Sequence, residues 1–237
     1  MRIEVANDPQ AVAILVADWL VTAVETAVHA RGRFVLGLAG GSTPRLLYQT
    51  LARPAYATRL PWHAMHLLWG DERFVPQDHA DSNYRMVADA LIKHVPVPRA
   101  NVHPIPTDGT PVDAASRYES ILRNLYGSSI LDPARPLFDV ILLGLGTDGH
   151  TASLFPGTAA MSERIAWATA VEGVTAQPRL TLTFPAIACS RTVAFIVTGA
   201  DKRQIFRYVR ANGSGLPATH VTSAGQIVWY ADSAAAQ

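Results

Sequence analysis

Residues 33–51 read RFVLGLAGGSTPRLLYQTL. The first seven residues form a nearly continuous apolar run, the next five form a glycine-rich turn that ends in proline, and the rest is amphipathic at helical spacing. This order predicts a strand, a tight turn and a helix. A strand that is apolar on both faces is typical of a parallel sheet with helices packed on both sides.

The same alternation continues through the chain and predicts an α/β fold. We expect a mostly parallel β-sheet flanked by helices on both faces, of the Rossmann-like type, within one domain over residues 1–237. The Pro-rich segment 95–111 is predicted to be a surface connection. Further strands are predicted at 3–5, 65–69, 138–143, 166–171, 180–184, 193–198 and 226–230, and further helices at 9–29, 83–92, 113–126 and 201–210.

Composition narrows the function classes. Of 237 residues, 49% are hydrophobic and 16% are charged, which favours a globular protein over a disordered one. The net charge is +1 and the cations are dispersed, so we expect no nucleic-acid partner. Apolar runs such as 138–146 fall short of the roughly 20 residues of a membrane span, so none is predicted. The single cysteine, Cys189, excludes a disulfide framework and a multi-cysteine zinc site, which favours a cytoplasmic location.

In open α/β sheets, ligands bind beyond the carboxyl ends of the strands. The turn Gly40-Gly41-Ser42-Thr43-Pro44 lies at such an end. Its backbone N–H groups, its two hydroxyls and the dipole of the following helix all favour an anion, and phosphate is the natural candidate. A tight turn without a ligand is the alternative. A Walker A loop is excluded, because no Gly-Lys-Ser/Thr follows.

The segment Gly144-Leu145-Gly146-Thr147-Asp148-Gly149 matches the dinucleotide-binding spacing Gly-x-Gly-x-x-Gly. That motif requires a full helix after the third glycine, whereas Pro156-Gly157 interrupts the chain within two turns. We therefore interpret the match as coincidental. The segment instead places Asp148 and His150 at the end of a buried strand, where His150 is the best candidate general base.

A third segment, Trp69-Gly70-Asp71-Glu72-Arg73, ends another predicted strand with two acids and an arginine. Arg73 could bind a carboxylate or polarise an oxygen, and the alternative is a structural ion pair. The sequence has no G-x-S-x-G or H-E-x-x-H motif and no paired Cys/His spacing, so serine-hydrolase and zinc-hydrolase mechanisms have no support.

Six segments together resemble the 6-phosphogluconolactonase family, in the same order and over nearly the whole chain. They are LGLAGGSTP, WGDERFVP, DSNYRMV, FDVILLGLGTDGHTASLFPG, RLTLTFPAI and VTGADK. The resemblance implies hydrolysis of 6-phospho-D-glucono-1,5-lactone to 6-phosphogluconate in the oxidative pentose phosphate pathway. It also implies a small-molecule partner and no metal or organic cofactor, and we expect a monomer or homodimer.

The resemblance suggests a role for each candidate residue. His150 would activate water, Asp148 would orient the imidazole, and Arg73 with backbone N–H groups would stabilise the oxyanion, while Asp71 belongs to the same catalytic set without an assigned role. Arg179 and Lys202, which lie at strand termini, would bind the phosphate together with Gly40, Gly41, Ser42 and Thr43. Lysine occurs only at positions 93 and 202, so Lys202 is less easily explained as an incidental surface cation.

Two alternatives remain at this stage. Glucosamine-6-phosphate deaminase/isomerase shares the pattern but carries a glutamate, needed for opening the sugar ring, where this sequence has Phe155. A phenyl ring cannot orient a base, so the lactonase is favoured. The second alternative is a non-catalytic sugar-phosphate sensor, which normally carries a helix-turn-helix that we do not find in this sequence.

Overall fold

The computed structural model describes residues 2–211 and 213–237. Within them, a seven-stranded sheet has the order β1-β10-β9-β6-β2-β3-β5, and every neighbouring pair in it is parallel. The strands are β1 (Arg2–Ala6), β2 (Phe34–Leu38), β3 (Met65–Trp69), β4 (Asp71–Arg73), β5 (Val102–His103), β6 (Phe138–Leu143), β7 (Ala168–Val171), β8 (Arg179–Leu182), β9 (Ser190–Val197) and β10 (Gln226–Asp232). The helices are α1 (Pro9–Arg31), α2 (Ser42–Leu51), α3 (Pro54–Ala57), α4 (Asn83–Ala90), α5 (Pro111–Tyr126), α6 (Phe184–Ala188), α7 (Arg203–Arg210), α8 (Pro217–His220) and α9 (Ser233–Ala236).

The predicted fold class is confirmed. Every residue of the central strands β2 and β6 is buried. Because successive side chains of a strand point to opposite faces, complete burial means that both faces of the sheet are covered. The parallel arrangement also brings the carboxyl ends of these strands to one edge, where the three segments singled out in the sequence lie.

Helix α1 is longer and more apolar than the sequence analysis recognised. The helix has 23 residues, and an 18-residue window of it has a mean hydropathy of 1.8, which satisfies the length and composition of a membrane span. Eight of its residues, however, are buried within the protein, as in a core helix. The Asp8 side chain accepts a hydrogen bond from the Ala11 N–H (2.8 Å), and Gly32 ends the helix in the left-handed conformation (φ 73°).

The sequence analysis did not anticipate a second sheet. Strands β4, β8 and β7 pair antiparallel in that order. The predicted strands 166–171 and 180–184 lie here rather than in the parallel sheet, and Asp71–Arg73 pairs with β8 instead of simply ending β3. Gly70 joins the two sheets, because its N–H donates to the Leu38 carbonyl (2.8 Å) and its carbonyl accepts from the Leu182 N–H (2.8 Å).

Smaller corrections concern where elements begin and end. Helix α2 starts at Ser42, so both hydroxyl residues of the glycine turn belong to its first turn. Strand β8 ends at Leu182 because α6 begins two residues later, with Pro185 in its first turn. The Pro-rich segment contains the short strand β5. After Gly149 the chain forms a turn closed by a Thr151–Leu154 bridge, which confirms that the dinucleotide-type spacing is not followed by a helix.

Two buried tyrosines fix the strand ends that lead into the candidate site. The Tyr48 hydroxyl, from α2, donates to the carbonyl of Ala39 and accepts from its N–H, both at 2.9 Å. The Tyr118 hydroxyl, from α5, contacts Trp69 in the same way, at 2.7 Å and 2.9 Å. Each phenol thus replaces the next sheet partner at the point where a strand turns away. Burial raises the pKa of both hydroxyls, which keeps them protonated as donors.

At the opposite edge, the buried carboxylate of Asp139 holds the amino ends of three strands together. It accepts from the Val35 N–H of β2 (2.8 Å) and from the Arg31 guanidinium (2.5 Å), and it lies 3.5 Å from Arg191 of β9. Because the carboxylate is satisfied by both a backbone donor and cations, its burial in β6 is tolerated.

Candidate active site

The glycine turn forms one wall of the site. Gly41 occupies the N-cap of α2 with φ 99°, a conformation that favours glycine, and it offers no side-chain acceptor to the N–H groups of the first turn. The Thr43 hydroxyl lies 2.6 Å from the Thr198 hydroxyl, just beyond the end of β9. The helix N-terminus therefore presents backbone donors and hydroxyls together, as an anion site requires.

His150 and Asp148 form a hydrogen-bonded pair beyond the end of β6. Nδ1 of His150 lies 2.5 Å from Oδ1 of Asp148, which also accepts from the His150 N–H (3.1 Å). Burial alone would raise the pKa of Asp148, but these bonds from His150 outweigh it and lower the pKa. A Cβ on Gly146 would lie 2.1 Å from the imidazole and 2.6 Å from the carboxylate, so only glycine leaves room for the pair.

Arg73 and Arg179 occupy directly opposite positions in the β4–β8 pair. The Arg73 guanidinium donates to the Asp81 carbonyl (2.5 Å), and that of Arg179 donates through Nε to the Thr175 hydroxyl (3.2 Å). Burial and the nearby Arg73 lower the pKa of Arg179. Like charges at opposite positions of a strand pair are unfavourable, and a bound anion between them would relieve the repulsion.

Glu72 does not pair with the arginine side chain beside it. Its carboxylate is 1% exposed and accepts the N–H groups of Asn83 (2.7 Å), Tyr84 (2.7 Å) and Arg73 (2.8 Å) together with the Ser82 hydroxyl (3.2 Å). Burial raises the pKa of Glu72 in spite of these bonds. The residue is an N-terminal cap of α4 supplied by a neighbouring strand.

Lys202 ends the 3₁₀ turn that follows β9, and its ammonium lies 3.4 Å from the Asp201 carboxylate. The preceding Gly199 adopts φ 102°, and its N–H donates to the Asp232 carboxylate (3.0 Å and 3.1 Å). The turn is thereby anchored to β10, which directs Lys202 toward the same cavity as the glycine turn.

These segments enclose a cavity of about 240 Å³. All but one of the residues singled out in the sequence line it; Asp148 instead supports the cavity through His150. The predicted residues in the lining are Gly40, Gly41, Ser42, Thr43, Asp71, Arg73, His150, Arg179 and Lys202. In the part of the chain that the structure describes, no three His, Cys, Asp or Glu side chains are grouped as a metal site would require.

Several polar residues here were not predicted from the sequence. Asn83 and Thr198 line the cavity, and the Ser153 hydroxyl donates to the Asp71 carboxylate (2.7 Å). Asn83 and Thr198 lie within the segments DSNYRMV and VTGADK, which carry the family resemblance, so their positions were available as a signal. No sequence signal indicated Ser153, because its contact with Asp71 joins residues that are far apart in the chain.

Comparison with known proteins places this geometry in a family. A sequence profile described as glucosamine-6-phosphate isomerases/6-phosphogluconolactonase matches residues 7–229. The chain belongs to this family. A 6-phosphogluconolactonase from Nostoc sp. is 39% identical over 238 residues, which cover 98% of this chain and 96% of that protein.

Solved structures agree on the fold of this family member. The crystal structure of 6-phosphogluconolactonase from Thermotoga maritima has a TM-score of 0.83 and 28% identity, and the match covers 98% of this chain and 99% of that one. A monomeric glucosamine-6-phosphate deaminase has a TM-score of 0.81 over 100% and 99% of the two chains, at 19% identity. Because that likeness shows the fold alone, the two activities in the family must be separated by side chains.

Phe155 is the side chain that bears on this separation. It is buried, and its ring centroid lies 4.5 Å from that of His150. The position at which a ring-opening deaminase is expected to carry a glutamate is thus filled by an apolar ring packed on the imidazole.

The cap formed by Glu72 predicts a stability effect. In Glu72→Gln, one acceptor oxygen becomes an NH₂ group that faces a backbone N–H, so a buried donor loses its partner. We expect the free energy of unfolding to fall by about 1–3 kcal/mol at neutral pH, measured by urea denaturation. The matched control is Glu163→Gln, whose carboxylate accepts two N–H groups at the surface, where water can replace it. Equal losses in the two variants would contradict the role of burial.

The raised pKa of Glu72 also determines how its contribution to the free energy of unfolding changes with pH. Between the ordinary glutamate value and the raised value, the native state binds more protons than the unfolded state. The contribution of Glu72 to stability therefore falls as pH rises through that window. Glu72→Gln should remove this slope.

Proposed function

We propose that this chain hydrolyses 6-phospho-D-glucono-1,5-lactone to 6-phosphogluconate, the lactonase step of the oxidative pentose phosphate pathway. The observation that carries the proposal is that the imidazole–carboxylate pair shares one small cavity with two arginines, a lysine and an open helix N-terminus. A general base and a set of anion-binding groups in one cavity suit a phosphorylated ester as substrate. The 6-phosphogluconolactonases among the relatives support the same reaction.

His150 is proposed as the general base. The lowered pKa of Asp148 keeps its carboxylate ionised, so it accepts from Nδ1–H and leaves Nε2 of His150 free to take a proton from water. The water oxygen adds to the lactone carbonyl carbon, and the carbonyl oxygen takes up negative charge. Collapse of this intermediate breaks the ring ester bond, and the protonated imidazole returns its proton to the departing ring oxygen.

The cations divide into two proposed roles. Arg73, with backbone N–H groups, would stabilise the oxyanion. Arg179, Lys202 and the first turn of α2 would hold the phosphate, because charge-assisted donors and a helix N-terminus are the usual partners of that group. No step in this scheme calls for a metal or an organic cofactor.

The packing of Phe155 on His150 supports the lactonase over an isomerase or deaminase. Ring opening requires a group that moves a proton to the ring oxygen of a sugar, and the phenyl ring offers none. We also propose a cytoplasmic location and a monomeric or homodimeric state. The single buried cysteine, Cys189, needs no oxidising compartment, which supports the location.

The direct test is an assay on two substrates. Purified protein should accelerate acid release from freshly prepared 6-phosphogluconolactone and release no ammonia from glucosamine 6-phosphate. The first is followed with a pH indicator and the second with a coupled ammonia assay. Ammonia release at a rate comparable to lactone hydrolysis would replace the lactonase with the deaminase.

His150→Asn should lower kcat by about 10²- to 10⁴-fold with little change in stability, because an amide of similar size cannot accept the proton from water. The control is His63→Asn at an exposed position. A folded His150→Asn enzyme that keeps most of its kcat would assign the base to another group.

The two cation roles can be separated with two lactones. Arg179→Ala and Lys202→Ala should each reduce kcat/KM for the phosphorylated lactone by about 10- to 150-fold and barely affect glucono-δ-lactone. Arg73→Ala should reduce kcat/KM for both lactones, because both form the oxyanion. The control is Lys93→Ala, which removes the other lysine, an exposed one paired with Asp89. If Arg179→Ala and Lys202→Ala affect both lactones equally, the phosphate is held elsewhere.

A further inference from the structure

Asn83 is a buried polar residue of the cavity that the proposed chemistry does not use. It is the first residue of α4, it is 2% exposed, and it lines the cavity. Its backbone N–H is held by Glu72, and its side-chain nitrogen Nδ2 donates to the main-chain carbonyl of Asp71 (3.0 Å) and approaches the Asp71 carboxylate (3.4 Å). Both ends of the residue are therefore fixed before any ligand binds.

The contact with Asp71 decides which way the amide points. A main-chain carbonyl oxygen can only accept, so Asn83 must present its nitrogen there and turn its oxygen Oδ1 away. Among residues 2–211 and 213–237, no group donates a hydrogen bond to Oδ1. A Cβ on Gly40 would lie 2.1 Å from this oxygen, so the amide rests directly against the bare Cα of the glycine turn.

Oδ1 is a hydrogen-bond acceptor in a cavity that is lined mostly by donors. The backbone N–H groups, the two arginines and Lys202 can only donate, and the turn hydroxyls can donate as well as accept. The acceptors beside them are Oδ1 and the carboxylate of Asp71, which is 8% exposed and holds one close hydrogen bond, from Ser153. Donors suit a phosphate, whereas buried acceptors with spare capacity suit hydroxyl groups.

We infer that Asn83 is a specificity-determining residue whose Oδ1 accepts a hydrogen bond from a ring hydroxyl of the substrate, next to the anion-binding turn. This inference rests on the proposed function in that it takes the substrate to be a sugar phosphate. A phosphorylated ligand that lacks this hydroxyl covers Oδ1 without giving it a partner, and the site rejects it for that reason. Asn83 thus recognises the hydroxylated part of the ligand, while the cations recognise its negative charge.

The first test compares the complete lactone with its 2-deoxy, 3-deoxy and 4-deoxy analogues. In the wild type, kcat/KM should fall by about 10- to 100-fold for at least one deoxy lactone. Asn83→Ala should cause a loss of similar size on the complete lactone and almost none on that same deoxy lactone. The control is Asn101→Ala, whose amide donates to the His63 carbonyl at the surface. A wild type that is indifferent to every deletion would overturn the inference, and so would a variant that loses equally on all four lactones.

The second test measures binding and does not depend on catalysis. Titration calorimetry with 6-phosphogluconate should show that Asn83→Ala weakens binding by about 10- to 100-fold, whereas inorganic phosphate binds within twofold of the wild type. Equal weakening of both ligands would mean that Asn83 merely supports the turn. A wild type that binds in this pattern without hydrolysing the lactone would refute the proposed function and retain the inference about Asn83.

Discussion

A single buried carboxylate, that of Glu72, connects the parts of this protein that build its cavity. It lies in the small antiparallel sheet and caps the helix that carries Asn83, so it fixes the distance between that sheet and α4. Three backbone N–H groups and a hydroxyl satisfy it, which explains how an acid can remain buried without a cation. Arg73 is placed by the same contact, through its own N–H.

Several features of the cavity do not favour the stability of the fold. Arg73 and Arg179 oppose each other across two strands, the first turn of α2 has no side-chain cap, and Oδ1 of Asn83 has no donor in the described residues. A phosphorylated, hydroxylated ligand would give each of these groups a partner. Stabilising interactions lie elsewhere, in the buried core and in the Asp139 contacts at the opposite edge of the sheet.

Glycine at two strand ends makes this arrangement sterically possible. At Gly40 the missing side chain admits the Asn83 amide, and at Gly146 it admits the His150–Asp148 pair. The second case also explains why a Gly-x-Gly-x-x-Gly spacing occurs here without a dinucleotide site. Its middle glycine gives space to the His150–Asp148 pair, and no helix follows the third glycine.

The sequence by itself determined what depends on neighbours in the chain. Apolar runs and turn residues predicted the alternation of strands and helices, and the spacing of Asp148 and His150 placed the pair together, because two residues apart around a glycine turn they have little alternative. Motifs at several strand ends could be predicted to share one edge, since parallel strands end on the same side. The separate sheet, the opposition of Arg73 and Arg179, and the contact of Asn83 with Gly40 were decided only by the tertiary structure. Each of these joins segments far apart in sequence, and their register follows from packing and hydrogen bonding of the whole chain, which no local pattern records.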